Sequence, residues 1–250
     1  MNRNGNIVIL TGAGLSAESG IPTFRTHCEV AYWEYLDDKG VRKKHRVEDV
    51  CTPEALHRDP ELVHRFYDAR RAALDTVEPN AAHRALARLD AAWPGELLIV
   101  TQNVDDLHER AGATRMLHMH GELRSALCAA CGERHAHAGD LPPGSVCAAC
   151  GAPALRPDIV FFGETPYQME RIEAALADAD LFVSIGTSGA VYPAAGFVQT
   201  ARHWGADTLE LNLEPSAGSY FFQETRIGAA SALVPAWVDS LLEQSAMTLD

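Results

Sequence analysis

Short apolar runs alternate along this chain with longer stretches in which apolar residues recur every three or four positions. The runs are NIVIL (6–10), ELLIV (96–100), LFVSIG (181–186) and TLELNL (208–213). Their length and the turns that bound them predict strands. The stretches between them predict helices, among them 81–92, stopped by Pro94 and Gly95, and 169–180. A further short strand, SALVP (231–235), is expected before a final amphipathic helix over 236–247. Strands alternating with helices imply a parallel sheet covered on both faces, an α/β fold of the Rossmann type. Such sheets bind ligands beyond the carboxyl ends of their strands. Here those ends run into TGAG, TQNVDD, GTSG and NLEP. One rim of the sheet is therefore the expected binding site.

Two stretches break the alternation. Residues 26–74 are charged, aromatic and read as helical, and 128–150 are rich in Ala, Gly and Pro and hold two cysteine pairs. Both read as insertions that build a smaller domain. The expected division is a larger domain of 1–25, 75–123 and 155–250 and a smaller one of 26–74 and 124–154. The chain has 250 residues, 47% of them hydrophobic, enough for one large core plus a small module. No apolar run is long enough to span a membrane. The first apolar run breaks at Thr11, too soon for a signal-peptide core, so a cytoplasmic protein is expected. A formal net charge of −13 repels nucleic-acid phosphates and anionic lipids. Neither is an expected partner. The one basic run, VRKKHR (41–46), reads as a solvated loop.

Three motifs carry chemistry. Gly12, Gly14 and Ala17 follow the first strand as G-x-G-x-x-A, a spacing that lets backbone N–H groups approach a pyrophosphate. The acid usual about 20 residues further on is missing, so Asn212 and Glu214 are the candidates for the adenosine ribose. Cys128, Cys131, Cys147 and Cys150 form C-x2-C-x15-C-x2-C, a zinc signature. Four thiolates close the tetrahedron, so the metal is expected to be structural. Cys28 and Cys51 stand alone and read as ordinary thiols. HMHGEL offers His118 and His120 as proton carriers near neutral pH. On a strand both face one side, and periodicity does not choose between them. Tyr67 and Arg70, three apart in FYDARRAAL, share one face of a predicted helix; charged helix faces are usually solvated.

GAGLSAESGIPTFR, TQNVDDLHERAG, HMHGEL, the cysteine pairs, RPDIVFFGE, GTSGAVYPAA and LNLEP occur in one order in one chain. Together they resemble the sirtuins, the NAD-dependent protein-lysine deacylases, and most closely the bacterial members of their class III branch. The resemblance spans nearly the whole chain. It implies a Rossmann-type domain plus a small domain of a zinc ribbon and a helical module, with NAD in the cleft between them. It places Gly12, Ala13, Gly14 and Ala17 along the pyrophosphate and Phe24 and Arg25 in a cofactor loop. It places Gln102, Asn103 and Asp105 at the nicotinamide end, with Asn103 positioning the ribose and a water and Asp105 holding the carboxamide. Gly186, Thr187, Ser188, Asn212, Leu213, Glu214 and Ala230 fall on the adenosine side.

The resemblance selects His120, the histidine before Gly121, as catalytic base. The implied reaction consumes NAD: the acyl-lysine carbonyl oxygen attacks C1′ of the nicotinamide ribose and nicotinamide leaves. His120 deprotonates a ribose hydroxyl that attacks the resulting imidate, and water completes the reaction to give lysine and O-acyl-ADP-ribose. Acyl-lysine peptides or proteins are the implied partners. They would add as a strand between Val160, Phe161, Phe162 and Gly163 on one side and Val191 and Tyr192 on the other. Class III members carry Tyr-x-x-Arg in the acyl pocket, which YDAR (67–70) matches. A guanidinium pairs bidentately with a carboxylate, and succinyl- or malonyl-lysine ends in one. The resemblance thus implies desuccinylation and demalonylation beside deacetylation. After TFR this chain reads THCEVAYW where most members reach Gly-Leu-Trp, so the cofactor loop is altered. Two other readings use the same residues: an NAD-binding scaffold without turnover, and a protein mono-ADP-ribosyltransferase.

Overall fold

The computed structural model describes residues 5–22, 32–36 and 39–246. In chain order its strands are β1 (Ile7–Thr11), β2 (Tyr32–Leu36), β3 (Arg42–Arg46), β4 (Leu97–Thr101), β5 (Met116–His118), β6 (Gly121–Cys128), β7 (Arg134–Ala136), β8 (Leu155–Ile159), β9 (Leu181–Ile185), β10 (Asp207–Asn212) and β11 (Glu224–Ile227). Its helices are α1 (Ala13–Ala17), α2 (Pro53–Arg58), α3 (Pro60–Ala73), α4 (Ala81–Ala92), α5 (Leu107–Ala111), α6 (Met169–Ala177), α7 (Phe197–His203) and α8 (Ala230–Ala246). They fall into two compact units. The larger comprises Met1–Ile21, Val77–Met119 and Pro166–Asp250; the smaller comprises Pro22–Thr76 and His120–Thr165.

The larger unit is a parallel sheet in the order β11-β10-β9-β1-β4-β5. Alternation along β1 explains why helices cover both faces. Ile7 and Ile9 point into a core with Leu86 and Leu89 of α4 and Val234, Trp237 and Val238 of α8. Val8 and Leu10 point into a second core with Ile172 and Leu176 of α6 and Phe197 and Val198 of α7. Neighbouring side chains of one strand thus serve opposite layers, and the strand reads as a continuous apolar run. From β1 the chain builds outward to β4 and β5 on one side and to β9, β10 and β11 on the other. The strand order therefore reverses at β1, where open α/β sheets leave a crevice at the carboxyl edge. The Rossmann-type fold read from the sequence is the one observed.

One expected strand is absent. Residues 231–235 lie inside α8. Val234, Trp237, Val238 and Leu241 are buried at helical spacing, and that spacing already begins within SALVP. Glu18 caps this helix, its carboxylate accepting from the backbone N–H groups of Ala230 (2.6 Å) and Ser231 (3.3 Å). The edge strand is instead β11, ETRI, whose side chains are all exposed.

The smaller unit holds a three-stranded sheet, β7-β6-β8, an antiparallel hairpin of β2 and β3, and helices α2 and α3. The 26–74 stretch, expected to be helical, thus includes the hairpin, and the run expected as a solvated loop is its second strand, β3. Trp33 and Tyr35 of β2 stack on each other at 4.4 Å, and Trp33 meets the edge of Phe66 on α3 at 5.1 Å. Residues 120–123 and 155–165, expected with the larger domain, group with this unit because β6 and β8 pair with each other. Buried Arg71 ties the unit together. Its Nε donates to the Leu123 carbonyl (2.6 Å), and its Nη1 donates to Asp68 (2.6 Å) and the Gly139 carbonyl (2.9 Å).

Candidate active site

In the larger unit the loops after β1, β4, β9 and β10 share the carboxyl edge, because those strands are adjacent and parallel. The glycine turn is built by close approach. Gly12 N–H donates to the Ile185 carbonyl (3.0 Å) and Gly14 N–H to the Gly186 carbonyl (2.8 Å). A Cβ on either glycine would lie 2.8 Å from that Gly186 carbonyl oxygen, so no larger residue fits without moving the backbone. Ala13 and Ala17, at the two ends of the five-residue α1, are exposed. Phe24, Arg25 and Cys28 lie outside the described residues.

Next to the glycine turn sits the turn after β4. Gln102 N–H donates to the Thr11 carbonyl (3.0 Å). Asn103 is buried, and its Nδ2 donates to Ser16 Oγ (2.9 Å) and the Gly12 carbonyl (3.1 Å). Asp105 is buried too. Burial pushes its carboxyl up, against the pull of the Ser16 hydroxyl, the Leu107 N–H and the charge of His118. Ser16 therefore joins the glycine turn to both Asn103 and Asp105. Sequence reasoning missed it, although it lies inside GAGLSA. On the other side of β1, Thr187 is hydrogen-bonded to Ser184 (2.8 Å), and Asn212 Nδ2 donates to the Thr187 carbonyl (2.7 Å). Ser188, Leu213 and Glu214 are exposed beyond them. Ala230 opens α8 and is buried. Gln102, Thr187, Gly189 and Val191 share the lining of one small cavity, and Tyr192 stands exposed next to Val191 in sequence.

The remaining candidates lie in the smaller unit. His120 is half-buried, and its carbonyl accepts from Val160 N–H (2.9 Å). Gly121 follows at φ +86°, where a Cβ would collide with the Asp158 carbonyl at 2.0 Å. The glycine after His120 is thus imposed by the tight pairing with β8. Phe161 is buried, while Phe162 and Gly163 are exposed in a turn. Glu164 closes that turn, accepting from Phe161 N–H (2.8 Å) and pairing with Arg156 (3.0 Å).

Tyr67 is not on a solvated face. It is 2% exposed on α3, and its hydroxyl donates to Cys51 Sγ at 3.3 Å. Phe161 packs near its ring at 5.9 Å. Cys51, read from the sequence as an ordinary lone thiol, is a member of this cluster. Burial pushes its thiol up to about 11 and the Tyr67 phenol well above its usual range. The thiol is therefore a packed, neutral partner and not a nucleophile. Arg70 and Arg156 supply positive charge to Tyr67. Arg156, missed in the sequence reading, stacks over Phe161 at 4.8 Å. Nothing in the spacing marked Cys51 or Arg156; a residue near the start of α2 and one on β8 meet α3 only through the fold.

The four zinc-signature cysteines converge. All four Sγ atoms lie within 4.8 Å of one another, with Cys128–Cys150 at 3.7 Å and Cys131–Cys147 at 3.8 Å. Zinc–thiolate bonds of about 2.3 Å in a tetrahedron require sulfur separations of about 3.8 Å. The quartet therefore fits one structural zinc ion, and His135 Nε2 sits 3.2 Å from Cys147 Sγ behind it.

The model of the Sir2 family matches residues 12–193. An NAD-dependent protein deacylase of Vibrio parahaemolyticus is 52% identical over 240 residues, covering 95% of each chain. A solved Sir2 homologue–NAD complex superposes with a TM-score of 0.79 at 33% identity, covering 98% of this chain and 90% of the other. A Sir2–p53 peptide–NAD+ complex does so with a TM-score of 0.74 at 26% identity, covering 97% and 94%.

Proposed function

The chain belongs to the Sir2 family, and from that premise we propose that it is an NAD-dependent protein-lysine deacylase acting on succinyl-, malonyl- and acetyl-lysine. NAD is the co-substrate of this family, and its homologue's NAD complex shares this fold. The observation that carries the acyl preference is the buried Tyr67 on the same helix face as Arg70, among Phe161 and Cys51. An apolar wall with one phenol and one guanidinium suits an aliphatic chain that ends in a carboxylate.

When bound, NAD supplies an electrophilic ribose carbon with nicotinamide as its leaving group. The chain's own residues do the rest. Gly12 and Gly14 keep the backbone of the first turn clear of side chains, so that its N–H groups can face a pyrophosphate. Asn103, braced by Ser16 and Gly12, orients the ribose and a water. Asp105 holds the carboxamide of nicotinamide. Asn212 braces the loop at 186–188, which with Leu213, Glu214 and Ala230 lies on the adenosine side. His120 takes the proton of a ribose hydroxyl and returns it later; an imidazole suits both directions near neutral pH. Arg70 and Tyr67 bind the terminal carboxylate of the acyl chain. Backbone groups of 160–163 and 191–192 bind the peptide as an added strand. The proposed products are lysine, nicotinamide and O-acyl-ADP-ribose.

The test is kcat/KM on one peptide bearing succinyl-, malonyl- or acetyl-lysine, for wild type and Arg70→Met, with nicotinamide and the acylated ADP-ribose followed by mass spectrometry. A lost charge-assisted pair is worth about 1.5–3 kcal/mol, so desuccinylation should fall by about 10- to 150-fold while deacetylation is largely kept. A wild type that deacetylates but never desuccinylates would refute the acyl reading. A wild type that binds NAD and releases no nicotinamide with any acyl peptide would refute the deacylase reading.

A further inference from the structure

His118 is the histidine of HMHGEL to which the family resemblance gives no role. It closes β5 and is buried. Its Nδ1 lies 2.9 Å from the backbone carbonyl of Asn103, and its Nε2 lies 2.6 Å from Oε1 of Glu109 on α5. A carbonyl and a carboxylate only accept. Both bonds exist together when both ring nitrogens carry protons, as in the imidazolium. The shorter distance fits a charge-assisted bond.

We propose that His118 is a positioning residue: its imidazolium, anchored by Glu109, clamps the Asn103 carbonyl and so fixes the turn that presents the Asn103 amide and the Asp105 carboxylate. This rests on the assignment of Asn103 and Asp105 to the NAD site. Asn103 is already held from its own side of the turn, by its N–H on Thr101 Oγ1 (3.0 Å) and by its amide on Gly12 and Ser16. Those bonds leave the peptide plane between Asn103 and Val104 free to tilt. The bond from His118 stops that tilt, because the carbonyl cannot turn without breaking it. The titratable groups that bear on the imidazole in this unit are Glu109 and the neutral His108 from α5 and Asp105 from the loop before it. A cation here also favours an ionised Asp105 in its buried place.

Two amide substitutions separate the two bonds. The Asn side-chain nitrogen reaches the place of Nδ1, and that of Gln reaches the place of Nε2. His118→Asn, His118→Gln and Glu109→Gln are compared with wild type by NAD calorimetry, by kcat and KM for NAD at saturating acyl-lysine peptide, and by Tm. His118→Gln should lower kcat/KM for NAD by about tenfold, the worth of one such bond, and His118→Asn should recover most of that loss. Calorimetric NAD affinity should follow the same order. Equal losses in the two amide variants, or losses that track Tm alone, would overturn the clamp. So would a wild-type 15N ring spectrum with one nitrogen unprotonated at neutral pH. If wild-type protein neither binds NAD nor releases nicotinamide, the functional reading fails instead, and the ring spectrum still decides whether the clamp exists.

Discussion

Acid should unfold the larger unit through two buried histidines. His83 on α4 and His108 on α5 are almost wholly buried, with ring centroids 5.0 Å apart at 65°. His83 Nδ1 accepts from the Asn80 N–H (3.3 Å), and His108 Nε2 bonds Thr11 Oγ1 (3.1 Å). The other two nitrogens, His83 Nε2 and His108 Nδ1, have no hydrogen-bond partner among the described residues. Burial, with Arg84 adding to it, lowers His83 from 6.5 to about 4. Burial and the neighbouring His83 and His118 push His108 well below 6.5. The unfolded chain therefore takes up protons before the folded one does. The contribution is complete above the unfolded pKa near 6.5 and is lost as pH falls from there towards 4. For His83 alone that amounts to about 2 kcal/mol at pH 5 and about 3 kcal/mol when the folded pKa is reached. His108 adds in the same direction. The assay is denaturant unfolding between pH 5 and 8 at constant ionic strength, followed by the fluorescence of Trp93 and Trp237, both buried in this unit's core. His83→Gln removes one titrating group and leaves the others, so the difference between the two pH profiles isolates His83. Parallel profiles, or a His83 ring resonance that titrates near 6.5 in the folded protein, would refute the reasoning.

Three more outcomes follow from the geometry. Stripping zinc should remove hydrogen-exchange protection from β6, β7 and β8 while the parallel sheet keeps its own; an unchanged Tm after chelation would contradict a structural role for the quartet. Gly14→Ala places a Cβ 2.8 Å from the Gly186 carbonyl, so it should cost about 1–3 kcal/mol of stability and weaken NAD binding, both measurable in one calorimeter. Arg71→Met leaves Asp68, the buried Leu123 carbonyl and the Gly139 carbonyl without their donor, so unfolding of the smaller unit should become easier by about 3–5 kcal/mol; a change below 1 kcal/mol would mean that water replaces the guanidinium.

What the sequence makes legible depends on what holds each element. β1, β4, β9, β10 and α4 are held by apolar burial on fixed periods, and the pattern reveals them to within a residue or so at each end. The zinc quartet is legible for a different reason: its spacing states the coordination directly, and the sulfurs do converge. The hairpin is hidden because most residues of β2 and β3 are exposed or only half-buried, so no apolar alternation marks them. β11 is hidden for the same reason, and its absence from the pattern moved the expected edge strand into α8. The glycine turn and TQNVDD were legible as loops at strand ends. Ser16, which joins them, was not, because a serine at an unspecified position of the glycine motif has no signal of its own. Cys51 shows the limit most plainly. Its role comes from α3 bringing Tyr67 against it across 16 positions of chain, with a phenol that needs a partner once buried. In sequence the thiol is silent; in the fold it is the atom that receives the Tyr67 hydroxyl. An acyl carboxylate that takes that hydroxyl must therefore compete with Cys51 for it. Cys51→Ala should in consequence free the phenol and raise desuccinylation relative to deacetylation, whereas a fall in both would mean that the sulfur matters only as packing.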